Sequence, residues 1–68
     1  MAADELPLGS VERAEGPTPN GGAYSVAIFL DDLRRPVPKE EATAVEIQEF
    51  DEDGTMIFRT YGELPGPS

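Results

Sequence analysis

The chain contains no cysteine and no histidine. Without cysteine there is neither a disulfide framework nor thiolate chemistry, and redox usage marks no compartment. Without histidine, the commonest general base near neutral pH, the commonest metal ligand and the simplest protonation switch are all missing. Lysine occurs once, at Lys39 beside Glu40 and Glu41. Serine and threonine hydroxyls therefore have no evident base to activate them, and Asn20-Gly21-Gly22 lacks the lysine and helix that a phosphate-cradling loop needs. No apolar run approaches the roughly 20 residues of a membrane span. Met1 to Ser10 carries acids with no lysine or arginine, so no export leader is expected and the expected location is cytoplasmic.

Positive charge is scarce as well, with 5 bases against 14 acids and a net charge of -9. Such a chain repels the phosphates of nucleic acid and of anionic lipid, which argues against direct DNA, RNA or membrane binding. A basic protein surface is an easier partner, although an acidic surface also serves plain solubility.

What remains is material for one small domain. A chain of 68 residues buries a modest fraction of its surface, and its larger apolar residues are few, so a thin core is expected, with help from a partner or a second copy. Residues 1–22 combine Pro-Thr-Pro, Asn-Gly-Gly, four acids and scattered apolar residues. This composition reads as a mobile arm that cannot offset its own ordering entropy, with Leu6 and Leu8 as isolated leucines. Residues 23–62 read as a small β domain, and 63–68, rich in glycine and proline, as a flexible tail.

Within the domain, Ala23 to Leu30 has no charged residue. It places Tyr24, Val26, Ile28 and Leu30 on one side at period two, the pattern of a central strand. Asp31 to Pro38 is a proline-interrupted loop whose Arg34 and Arg35 are expected to pair with neighbouring acids. Thr43 to Phe50 alternates and is read as a strand, preceded by one helical turn over Lys39 to Ala42; the alternative is a helix over 39–50 and a β-α-β order. Thr55 to Tyr61 is β-branched and aromatic, a third strand. The fold expected is all-β, a three-stranded antiparallel meander.

Asp51-Glu52-Asp53-Gly54 joins the last two strands. A calcium loop with Gly54 at its sixth position would put Thr60, not glutamate, at its twelfth, so the knot is a turn rather than a metal site. A three-residue loop Glu52 to Gly54 sets Asp51 opposite Thr55, Glu49 opposite Ile57, Ile47 opposite Arg59 and Val45 opposite Tyr61. A two-residue loop puts Phe50 opposite Ile57, Ile47 opposite Thr60 and Gln48 opposite Arg59. The first is preferred, because it gathers Val45, Ile47, Ile57 and Tyr61 on one face and Phe50, Met56 and Phe58 on the other, with Arg59 diagonal to Glu49.

No catalytic, metal or cofactor residue is assigned; the paired carboxylates have no pocket to separate their pKa values. Tyr24 and Tyr61 are expected in the principal core. Two apolar faces on so little chain point instead to a non-enzymatic binding or adaptor module, its candidate contact residues being Phe29, Phe50, Met56 and Phe58, its partner a protein or a second copy of itself. One alternative is an acidic inhibitor mimicking nucleic-acid charge through Glu40, Glu41, Glu46, Glu49, Asp51, Glu52 and Asp53. Another is a peripheral subunit of a larger assembly.

Overall fold

The computed structural model describes residues 7–65. The fold is all-β, four strands in one antiparallel sheet in the order of the chain: β1 (Val11–Glu15), β2 (Tyr24–Leu30), β3 (Ala44–Phe50) and β4 (Met56–Glu63). The 3-10 turn Lys39–Glu41 precedes β3, so the helix over 39–50 and its β-α-β order do not form. Alternation decided this: Val45 and Ile47 share a strand face, whereas a helix would separate them. Among the described residues no helix is long and apolar enough to cross a membrane.

The fourth strand corrects the reading of residues 1–22. Val11–Glu15 pairs with β2, from Val11 opposite Ile28 to Glu15 opposite Tyr24. Its sequence, VERAE, is exposed throughout and carries too little apolar surface to signal a strand. What orders it is the other edge of β2, whose backbone donors and acceptors need partners on both sides. β2 is thereby the central strand that its charge-free sequence implied, flanked by β1 and β3. Residues 1–6 and 66–68, where parts of the expected arm and tail fall, lie outside the described residues.

One reversal is used three times. Thr18-Pro19-Asn20-Gly21-Gly22, Asp31-Asp32-Leu33-Arg34-Arg35 and Asp51-Glu52-Asp53-Gly54-Thr55 have the same bonds. The fourth amide donates to the first carbonyl at 2.9–3.0 Å, and the first amide donates to the fifth carbonyl at 2.9–3.0 Å. The fifth amide donates to the first side chain, at 2.6 Å to Thr18 Oγ1 and at 2.9 Å to Asp31 Oδ1 and Asp51 Oδ1. The fourth residue is left-handed each time, with φ 87° at Gly21, 61° at Arg34 and 84° at Gly54. Glycine adopts that region freely, and arginine does so at a cost.

The β3–β4 hairpin contains both registers that the sequence allowed. The three-residue loop closes with Asp51 N donating to Thr55 O at 2.9 Å, and Phe50 lies opposite Met56. A bulge at Ile57 then shifts the ladder, placing Glu49 opposite Phe58, Gln48 opposite Arg59, Ile47 opposite Thr60, Glu46 opposite Tyr61 and Val45 opposite Gly62. Beyond the bulge this is the register of the two-residue loop. The grouping of Phe50, Met56 and Phe58 on one face is thus overturned, as is that of Val45, Ile47 and Tyr61. An extra residue inverts the faces of all that follows it. Ile57 reaches towards Gly22, where its Cδ1 would lie 3.1 Å from an added Cβ.

The buried apolar core is Phe29, Leu30 and Ala44, at the end of the sheet where residues 36–38 fold back along β2. There Leu30 bridges Pro36 and Val37 N donates to Phe29 O at 3.0 Å. The buried Ser10 closes the same corner, its Oγ donating to Pro7 O at 2.7 Å and its carbonyl accepting from Phe29 N at 2.7 Å. The molecule is a slab measuring 38 × 33 × 17 Å, a single sheet without a second layer among the described residues.

The left-handed position of Arg34 yields a test. Arg34 stands over the Tyr61 ring at 4.2 Å, and both Arg34→Ala and Arg34→Gly lose that stack, but only glycine relieves the backbone. Urea unfolding should place Arg34→Gly above Arg34→Ala by roughly 1 kcal/mol. Equal midpoints would mean that the position carries no conformational cost.

Candidate functional site

The register sorts the side chains onto two unlike faces. One carries Tyr24, Val26, Ile28 and Leu30 of β2, with Arg13, Glu46, Gln48, Phe50, Arg59 and Tyr61 from the other strands. Cations and ion pairs screen it. Tyr24 stacks on Phe50 at 5.1 Å between ring centroids, and Arg13 lies 4.2 Å from the Tyr24 centroid. Glu46 accepts from Arg59 Nε at 2.9 Å, Arg59 Nη2 at 3.3 Å and Gln48 Nε2 at 2.6 Å. The Gln48 bond and then the arginine hold its carboxyl below the ordinary value of 4.5. Arg59 therefore pairs across the strands with Glu46 rather than diagonally with Glu49, because the bulge moves it to Glu46's face.

The other face carries Ala27 and Phe29 of β2, Val45, Ile47 and Glu49 of β3, and Phe58 and Thr60 of β4. Among the described residues it is covered only near its ends. Lys39 lies 5.6 Å from the Phe29 centroid and 3.5 Å from Glu12. At the opposite end the β1–β2 turn folds onto Glu49, which is 3% exposed and accepts from Asn20 N at 3.2 Å and Asn20 Nδ2 at 2.9 Å. The Thr18 hydroxyl and the two Asn20 donors outweigh desolvation and hold the Glu49 carboxyl below 4.5. Between these ends lies the row Ala27, Ile47, Thr60, three uncharged side chains in line with Glu12 of β1, which lies opposite Ala27.

The candidate contact residues are thus divided. Phe29 is in the core, Phe50 is half-buried in its stack, and Met56 stands 46% exposed on the screened face. Phe58, 38% exposed, is on the open face. All eight residues of β4 are exposed, and Tyr61, expected in the core, is 40% exposed.

The candidate acids do not form one surface either. Glu40 and Glu41 are in the 3-10 turn at one end of the sheet, and Glu52 and Asp53 are in the turn at the other. Glu46 and Glu49 point to opposite faces, each already bonded. Asp51 caps its turn, accepting from Asp53 N and Thr55 N at 2.9 Å. Asp31 does the same for Leu33 N and Arg35 N, and pairs with Arg35 at 2.9 Å. Arg35 thus meets the acid partner expected of it, whereas Arg34 goes to Tyr61.

An open cleft of about 500 Å³ lies between the turns at residues 16–23 and 51–53, lined by Gly16, Gly21, Gly22, Asp51, Glu52 and Asp53 among others. Its walls are glycine backbone and turn carboxylates. Among the described residues no group of three or more histidine, cysteine, aspartate or glutamate side chains is placed to hold a metal ion.

Two participants were missed in the sequence: Thr18, as the acceptor that closes a turn, and Asn20, as the donor to Glu49. The Thr18 signal was present, since Thr-x-x-Gly-x matches the spacing of Asp-x-x-Gly-x at Asp51. For Asn20 there was none, because the contact spans 29 residues.

No protein-family model matches the chain, and no curated protein or solved structure matches it significantly. The geometry of the β4 edge and of the open face next to it is what defines the candidate site.

Acid titration tests the Glu49 anchor. Because its folded pKa is depressed, its contribution is fully present above the unfolded value and is lost as pH falls through the folded value. Glu46 and Asp31, also lowered, act in the same direction. Thermal midpoints followed from about pH 7 to about pH 3 should fall for the native chain. Glu49→Gln should start lower at neutral pH and fall less steeply; parallel curves would remove Glu49 from the acid response.

Proposed function

We propose that this protein is a non-enzymatic protein-binding module that engages its partner through β4 and the open sheet face beside it. One observation carries the reading: β4 is exposed along all eight residues although it holds Met56, Ile57, Phe58 and Tyr61. A sheet edge of this length offers unpaired backbone donors and acceptors to an incoming strand, and alternate side chains give the contact its specificity. The adjoining Thr60, Ile47 and Ala27 carry no charge to desolvate, and the charged member of that row, Glu12, lies away from β4 on β1.

The opposite edge is less suited. β1 has five residues, three of them charged, and Arg13 Nε is bonded to Glu15. Short charged edges resist strand addition. The acidic-inhibitor reading has less support, because the carboxylates that would mimic a nucleic acid are split between two ends and two faces.

Affinity capture with the intact chain, from its own host and against itself, tests the proposal. Phe58→Lys places a charge at the rim of the open face opposite Glu49, and should lose the captured protein by more than about tenfold. Its unfolding free energy should stay within about 1 kcal/mol of the parent. Unchanged capture by a folded Phe58→Lys, or no capture of any protein by the native chain, would refute the reading.

A further inference from the structure

Among the described residues the outer edge of β4 is unpaired, and its sequence is complementary to itself. Leu64 N donates to Thr43 O at 2.9 Å in the register that sets Ala44 opposite Glu63. Antiparallel strands alternate, so Phe58, Thr60 and Gly62 direct their backbone groups to β3, and Arg59, Tyr61 and Glu63 direct theirs outward. The three outward residues also share the screened face, with a base and an acid spaced evenly about Tyr61. Resting on the binding-module reading, we propose that β4 pairs antiparallel with β4 of a second copy about a two-fold axis through Tyr61, merging two four-stranded sheets into one.

This centre is selected by charge. Tyr61 meets Tyr61, and Arg59 of each copy meets Glu63 of the other, giving two opposite-charge cross-strand pairs. Centring on Arg59 opposes two arginines, and centring on Glu63 opposes two glutamates. Intermediate centres pair Tyr61 with one of the charges and leave the other opposite the Ile57 bulge or Pro65. Arg59 can serve two acids: its Nε and Nη2 engage Glu46, its side chain is 64% exposed, and a guanidinium has five donor hydrogens.

On the open face the same register sets Thr60 opposite Gly62 and Phe58 opposite Leu64, covering two apolar side chains per copy. Beyond them Pro65, which has no amide hydrogen, meets the bulge at Ile57 and ends the ladder. A two-fold axis normal to the sheet keeps like faces together. The open faces of both copies become one continuous platform, and the exposed β4 edge is consumed.

The native chain supplies a test independent of any substitution. Sedimentation should show a monomer–dimer equilibrium, and the amides of Arg59, Tyr61 and Glu63 should exchange with solvent faster on dilution, while those of Thr60 and Gly62, bonded to β3, stay protected. Arg59→Glu and Glu63→Arg should each weaken association by roughly tenfold or more, and mixing the two variants should restore it in the heterodimer, where every pair is again opposite in sign. A monomer up to about 1 mM, exchange at the three amides independent of concentration, or a mixture no tighter than the single variants would overturn the proposal. A native chain that stays monomeric yet captures another protein through Phe58 refutes self-pairing and leaves the binding reading intact. A chain that does neither refutes both.

Discussion

A side-chain oxygen at the first position of a five-residue reversal, accepting the amide of the fifth, is the interaction on which this sheet depends. Thr18, Asp31 and Asp51 each supply it. In a protein whose buried apolar core is Phe29, Leu30 and Ala44, packing alone is too slight to determine how strands align, and local bonds in the turns carry that burden. The turn at Thr18 aligns β1 with β2 and brings Asn20 onto Glu49. The turn at Asp51 starts β4, and that at Asp31 sends the chain back to seal the core corner and carries Arg34 to Tyr61. At Arg34 a side chain that disfavours left-handed geometry occupies the place that glycine holds in the other two. The strain there coincides with the contact it makes possible.

The bulge at Ile57 converts these local bonds into two dissimilar surfaces. Without it, Arg59 would leave Glu46, and Met56 and Phe58 would share a face. With it, arginines and ion pairs screen one face, and the other presents Ala27, Ile47 and Thr60. The same shift fixes which β4 amides face solvent. Among the described residues, whose smallest extent is 17 Å, no second layer uses either surface internally. The features that limit its own stability are therefore those on which the proposed binding through an edge rests.

Much of the fold was legible because period-two alternation is a local property. Ala23 to Leu30 and Thr43 to Phe50 could be read as strands, and Asp53-Gly54 as a reversal, from neighbouring residues alone. A tension was also visible: a charge-free central strand does not fit at the edge of a three-stranded meander. Its resolution, β1, was hidden because Val11–Glu15 is ordered by backbone bonds to β2 rather than by its own side chains. The candidate site was less legible. Phe29, Phe50, Met56 and Phe58 could be recognised as apolar, but one bulged residue dispersed them among the core, the screened face and the open face.

By itself the sequence determined the chemistry and the period: an all-β chain of high negative charge, without cysteine or histidine, whose acidic knot at Asp51 to Gly54 reverses direction. Tertiary structure decided what the knot's flanks do, which acids are bonded within the fold, and which edge is left free. The physical reason is the parity of a strand. A one-residue slip leaves every local propensity unchanged and exchanges the two faces, so composition and alternation cannot specify a surface whose identity turns on whether Ile57 is counted in the ladder or set outside it.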